Sequence, residues 1–217
     1  LPLGKPECMV ENLDRWGADE ILIQVIDRSM AGSGPDFELL EKISSLGLST
    51  PLIYGGGIRT VTEGVQVIQC GADRLTVDSL LYDDLSVVSE LGDRLGAQAI
   101  IASMPMTVSS QALGWFDYRT KILSPISQSV SEIIKQGKIS EVLLTDWQNE
   151  GSPHGFDNAL VDLFPHEKVP LIVFGGISST ELLTTLLDRL NVVVIAGVIS
   201  LSYRELVIHI NKDELPN

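Results

Sequence analysis

Two short segments carry groups suited to holding phosphate. Gly55-Gly56-Gly57-Ile58 is followed by Thr60, and Gly175-Gly176-Ile177 is followed by Ser178 and Ser179. Glycines let backbone N–H groups approach an anion, and a hydroxyl residue just beyond caps a helix whose N-terminus favours negative charge. Asp78-Ser79 and Ala196-Gly197 end the neighbouring apolar runs and join each segment. The candidate phosphate residues are therefore Gly56, Gly57, Asp78, Ser79, Gly175, Gly176, Ala196 and Gly197. Asp78 opposes the role unless its carboxylate turns away. The same glycines would also serve as tight turns between a strand and a helix.

These segments need a frame that repeats. Short apolar runs suited to buried parallel strands fall at 20–26, 51–54, 74–77, 98–104, 141–145, 169–174 and 191–196. Helical patterns fall at 6–16, 37–45, 61–69, 83–95, 127–136, 158–163, 180–190 and 202–210, and a long polar loop runs to about Leu123. Strict alternation of strand and helix means an α/β fold with a parallel sheet. In such folds ligands gather at the carboxyl ends of the strands, where both glycine segments lie.

The chain is also duplicated. Glu20 and Glu141, Gly34 and Gly155, and Asp36 and Asp157 each differ by 121 positions, for example 141 − 20 = 121. The Pro51-Leu52-Ile53 run and the Pro170-Leu171-Ile172 run differ by 119, with their glycine turns in step. Two similar halves predict a (β/α)8 TIM barrel, and a dinucleotide-binding sheet with a G-x-G-x-x-G turn does not fit. The strand at 98–104 has no counterpart in the first half. Its mate would lie about 20 residues before Leu1 by the same offset. The expectation is one (β/α) barrel domain over residues 1–217, holding strands 2–8 of eight.

Composition excludes several classes. With 15 Lys and Arg against 29 Asp and Glu, the net charge is −14, wrong for nucleic acid or an anionic membrane. No apolar run is long enough to span a bilayer, and no secretory leader is seen. Lys212-Asp213-Glu214-Leu215 is followed by two more residues and is read as chance. Cys8 and Cys70 lack metal-type spacing. A reduced cytoplasmic protein without a metal or cofactor is expected.

The stretches Gly55–Arg59, Cys70–Arg74, Glu141–Thr145, Glu150-Gly151 and Pro170–Ile177 resemble the cyclase subunit of imidazole glycerol phosphate synthase, of histidine biosynthesis. The resemblance covers nearly the whole chain. It implies a duplicated (β/α)8 barrel of the lyase or cyclase type. Such a barrel takes ammonia from a glutaminase partner and acts on a ribulosyl substrate with a phosphate at each end. Residue by residue, it adds Gly151 to the phosphate group and makes Glu150 the catalytic carboxylate. The family's strand-5 aspartate falls at Pro105, which cannot transfer a proton. Gln148-Asn149-Glu150-Gly151 stands where the family has Asp-Arg-Asp-Gly. Glu20, Arg74 and Glu141 match a charged ring that gates ammonia at the amino ends of the strands, and Asp73 matches a residue facing the glutaminase.

The resemblance therefore implies an altered or impaired cyclase. The alternative is a cyclase-like ammonia conduit in a glutamine-dependent sugar amidotransferase system of surface-polysaccharide synthesis. A third reading is a bisphosphate-binding barrel without ammonia. Trp147 would either fill space over the strand ends or cover the layer between strands and helices. His154, in the following loop, is read as solvent-exposed.

Overall fold

Apolar runs of a few residues fold as strands here, and the runs at 52–55 and 142–146 are buried along their whole length. The computed structural model describes residues 4–152, 155–177 and 179–196. The chain forms two compact units, Leu1–Ala102 with Glu132–Ser140, and Ser103–Ser131 with Glu141–Asn217.

The first unit opens with α1 (Pro6–Arg15), β1 (Ile21–Gln24), α2 (Ile26–Ala31) and α3 (Phe37–Ser44). It continues with β2 (Leu52–Gly55), α4 (Val61–Gln69), β3 (Arg74–Val77), α5 (Leu80–Asp83), α6 (Leu85–Leu95) and the start of β4 (Ile100–Ser109). β1 pairs with β2, β2 with β3, and β3 with β4, all parallel. All four residues of β2 are buried. Val10 of α1 and Ile43 of α3 pack with Ile21 and Leu52 into one apolar cluster. Fully burying a side chain such as Ile43 contributes about 1.5–3 kcal/mol. Helix starts carry their own caps. Asp36 accepts the N–H of Leu39, Asp84 accepts those of Ser86 and Val87, and Thr60 and Glu63 form a reciprocal capping box.

The second unit holds the rest of β4, then β5 (Ala112–Asp117), β6 (Ile122–Ser124) and the start of α7 (Gln128–Lys135). β7 (Glu141–Asp146), α8 (Ala159–Asp162), β8 (Leu171–Phe174), α9 (Thr180–Leu187) and β9 (Val192–Ala196) follow. β7, β8 and β9 pair in parallel, and β4 neighbours β7. This repeated strand-then-helix order on parallel strands is the α/β build of a (β/α)8 barrel.

Three expectations change. The polar stretch after 104 is not a loop: β4 runs on to Ser109 and pairs antiparallel with β5, which pairs antiparallel with β6. The turn residues Ser110 and Gln111 take positive φ values of 50° and 63°, which close this arm tightly. The apolar run expected to end at Ile26 stops at Gln24, and Ile26 begins a helix with its side chain 74% exposed. The helix expected from 83 is preceded by a separate turn, α5, because Asp84 breaks it to cap α6. The helix expected at 202–210 lies outside the described residues.

Pro105 is buried within β4. Its position explains how a strand tolerates it. The parallel ladder with β3 uses Ile100–Ala102 and the antiparallel ladder with β5 uses Met106–Ser109, so the missing N–H falls between the two.

Candidate functional site

The first glycine turn leaves β2. Gly56 has φ +119°, and a Cβ there would stand 2.2 Å from the carbonyl oxygen of Val25. Gly57 has φ +73°, and its Cβ would stand 2.3 Å from the oxygen of Gly34. Only glycine fits both the backbone angle and the approach. The N–H of Gly57 donates to Ser29 Oγ at 3.0 Å. Glu63 Oε2 accepts the N–H groups of Arg59 and Thr60, so a carboxylate already sits at the start of α4.

The second turn leaves β8 and copies the first. Gly175 has φ +100°, and its Cβ would stand 2.8 Å from the oxygen of Asp146. Asp146 is the repeat mate of Val25, since 146 − 25 = 121. Gly176 accepts the N–H of Phe156 at 3.2 Å, and Ser179 caps α9 as Thr60 caps α4. One contact is not copied. The mate of Ser29 is Glu150, since 150 − 29 = 121, and among the described residues the N–H of Gly176 has no acceptor.

The remaining expected residues divide by unit. Ser79 is buried just before α5, and Asp78, partly buried, accepts the N–H of Leu81 on its carbonyl. In the second unit Gly151 takes φ +69° directly after Glu150, and Ala196 ends β9. Glu150 lies on an exposed turn, yet desolvation by the protein around its carboxyl raises its pKa above the usual glutamate value. Gly197, Ser178 and His154 lie outside the described residues.

Sequence reasoning passed over Asp146. It ends β7, is 1% exposed, and is the most deeply buried acid among the described residues. Its carboxylate accepts the N–H of Asn149 at 3.2 Å, the side-chain amide of Asn149 at 2.8 Å and the N–H of Asp157 at 2.9 Å. Its carbonyl accepts the N–H of Glu150 at 2.9 Å. The available signal was an acid at a strand end with Asn three residues on, the pattern of a side chain bonding its own turn. Trp147 stacks on Phe116 of β5, with ring centres 4.1 Å apart and planes 13° from parallel. Its N–H donates to the oxygen of Met106, so it fastens the arm to the end of β7.

The amino ends of the strands carry charge. Arg74, at the start of β3, pairs with Glu20 at 3.2 Å and donates to the oxygen of Gln98 and to Ser140 Oγ. Arg74 and Glu20 are both partly shielded, so the pair is stronger than one on open surface. Asp73 clamps β2, its carboxylate accepting the N–H of Leu52 at 2.8 Å. Glu141 begins β7 in the other unit. Among the described residues no group of three or more His, Cys, Asp or Glu is placed to hold a metal, and no helix is long and apolar enough to cross a membrane.

The family profile described as histidine biosynthesis protein matches residues 2–204. The chain belongs to this family. Within it the chain is a HisF-like cyclase subunit of the imidazole glycerol phosphate synthase kind. It is 31% identical to a Vibrio vulnificus protein named "Putative imidazole glycerol phosphate synthase subunit hisF3", over 86% of this chain and 73% of that one. A Campylobacter jejuni protein bearing the same name with the suffix hisF2 is 34% identical over 74% of this chain and 64% of its own length. The imidazole glycerol phosphate synthase subunit HisF of Natranaerobius thermophilus is 29% identical over 82% of this chain and 71% of its own length. The HisF-like build accounts for the duplicated halves. It leaves Pro105, Asp146 and Gln148-Asn149-Glu150 as features of this chain to be explained by its own geometry.

Proposed function

We propose that this chain is a HisF-like barrel that receives ammonia from a glutaminase partner and binds a ribulosyl compound with a phosphate at each end. The observation that carries the phosphate part is the second turn, Gly175-Gly176, where the N–H of Gly176 has no acceptor among the described residues, ahead of a Ser179-capped helix. The first turn, taken by itself, would hold a phosphate less tightly, because Ser29 holds the N–H of Gly57 and Glu63 places negative charge beside it. Glu150 would serve as the proton-transfer group, since desolvation shifts its titration toward neutral pH. Pro105 removes a second such group, so ring closure would be slow. The test is purified protein with its glutaminase, the ribulosyl substrate and ammonia. Saturable binding with turnover lowered further by Glu150→Gln supports the reading, and no binding at high ammonia and substrate overturns it.

The conduit reading is favoured by one pairing of facts. Pro105 stands where the resemblance places one of two acid–base groups, while Glu20 and Arg74 remain paired at the amino ends of their strands. Glu20→Ala and Arg74→Ala should then uncouple glutaminase activity from the barrel. Unchanged coupling in both variants removes that reading.

A further inference from the structure

The second half of the chain holds a buried carboxylate where the first half holds a valine. Val25 and Asp146 occupy the same place in the duplication, each presenting a carbonyl oxygen to a glycine of its turn. A carboxylate sealed from water is costly unless donors surround it. Asp146 meets that need with three N–H donors, two from Asn149 and one from Asp157. Those donors lie on either side of Glu150 and Gly151 in sequence. The backbone of the same residue holds Glu150 through its N–H and lies against Gly175. One residue therefore touches the start of the Glu150 turn, the end of that loop and the glycine turn of the next strand.

We infer that Asp146 is the positioning residue of the second phosphate turn, fixing the turn at Asn149 and Glu150 and the backbone at Asp157 so that Glu150 and the Gly175-Gly176 N–H groups face one bound phosphoryl compound. This rests on the phosphate reading above and deepens it. Asp146 does not act as a proton carrier, because its two oxygens are committed to the three donors. Its partner is Asn149, which supplies both a backbone and a side-chain donor. The two residues form a local substitute for the charged pattern that the HisF resemblance places at this loop. Holding the turn at Asn149 and Glu150 in place before a ligand arrives spares the ligand the entropy of arranging it.

The duplication supplies an internal control, because Val25 gives the first turn no such tether. The experiment follows the backbone amides of Gly56, Gly57, Gly175 and Gly176 by NMR as inorganic phosphate is added to the full chain. Asp146→Ala should weaken the response at Gly175 and Gly176 about tenfold or more. Asn149→Ala, which keeps the buried acid and two of its donors, should weaken it severalfold. Both should leave the Gly56 and Gly57 response within about twofold, and both should move the titration of the Glu150 carboxyl. Should Asp146→Ala fail to fold, Asn149→Ala decides alone. Equal weakening at both turns, or no change at Gly175 and Gly176, overturns the positioning role while leaving the phosphate reading standing. No response at any of the four glycines in the unsubstituted protein removes the phosphate reading, and the inference with it.

Discussion

The carboxyl of Glu150 and that of Asp36 show how neighbours decide what an acid can do. Asp36 loses water on burial, which alone would raise its pKa. The N–H of Leu39 and the guanidinium of Arg28 at 2.6 Å outweigh that and hold it below the ordinary aspartate value. Its stabilising effect is present above the unfolded value and fades as pH falls through the folded one. Glu150 has desolvation without a compensating donor, so its pKa moves up. The sign then reverses: the neutral form is favoured in the folded chain, and stability falls as pH rises through the raised value. Glu150→Gln removes that loss. Thermal melts should show the variant gaining on the parent as pH rises above the ordinary glutamate range, with the two nearly equal at the acid end. A gain that is the same at every pH would mean that the carboxyl is not the cause. The same comparison separates Glu150 from Asp146, whose three donors make it a fixed anchor.

At the scale of the element, the glycine turns join strand to helix through backbone contacts that no side chain can enter. Gly56→Ala places a methyl 2.2 Å from the oxygen of Val25 at a φ of +119°. Strained backbone of this kind costs about 1–3 kcal/mol. A midpoint lower by several degrees in a thermal melt is expected. A neutral outcome would show that the end of β1 yields freely. Much of this level is legible in the sequence. The parallel strands were readable because burial on both faces makes them short apolar runs, as in Leu52–Gly55 and Val142–Leu144. The duplication read from the sequence is matched in the structure, where Val25 and Asp146, 121 positions apart, each set a carbonyl oxygen against a glycine of the turn. The arm was not legible, because β5 and β6 expose Ile122 and Leu123 and carry Asp117, so their pattern is that of a polar loop. α2 was missed for the opposite reason. Ile26 continues an apolar run in sequence but faces solvent in the fold. Asp146 escaped because its importance lies in three donors that come from residues 149 and 157, and composition says nothing of where those N–H groups point.

For the whole molecule, charge and site pull in opposite directions. The chain carries −14, so its mean field repels a doubly phosphorylated ligand at long range. Binding of the proposed ligand would then have to come from short-range donors, first among them the N–H of Gly176 ahead of α9, since those at the start of α4 already meet Glu63. Salt separates the two contributions. It screens the distant repulsion over a Debye length of about 10 Å at 0.1 M, but acts little on N–H groups in contact with the phosphate. The association rate of a pentulose bisphosphate, measured by stopped flow, should therefore rise between about 0.01 M and about 0.15 M salt. The dissociation rate should change much less. An association rate that falls with salt would mean that local cations, Arg28 and Arg59 beside the first turn being the nearest candidates, outweigh the acidic body and steer the ligand themselves. Arg59→Ala would then abolish the salt effect. With N–H groups in control, the same variant would leave the slope of rate against salt unchanged, because the repulsion that salt relieves belongs to the whole chain.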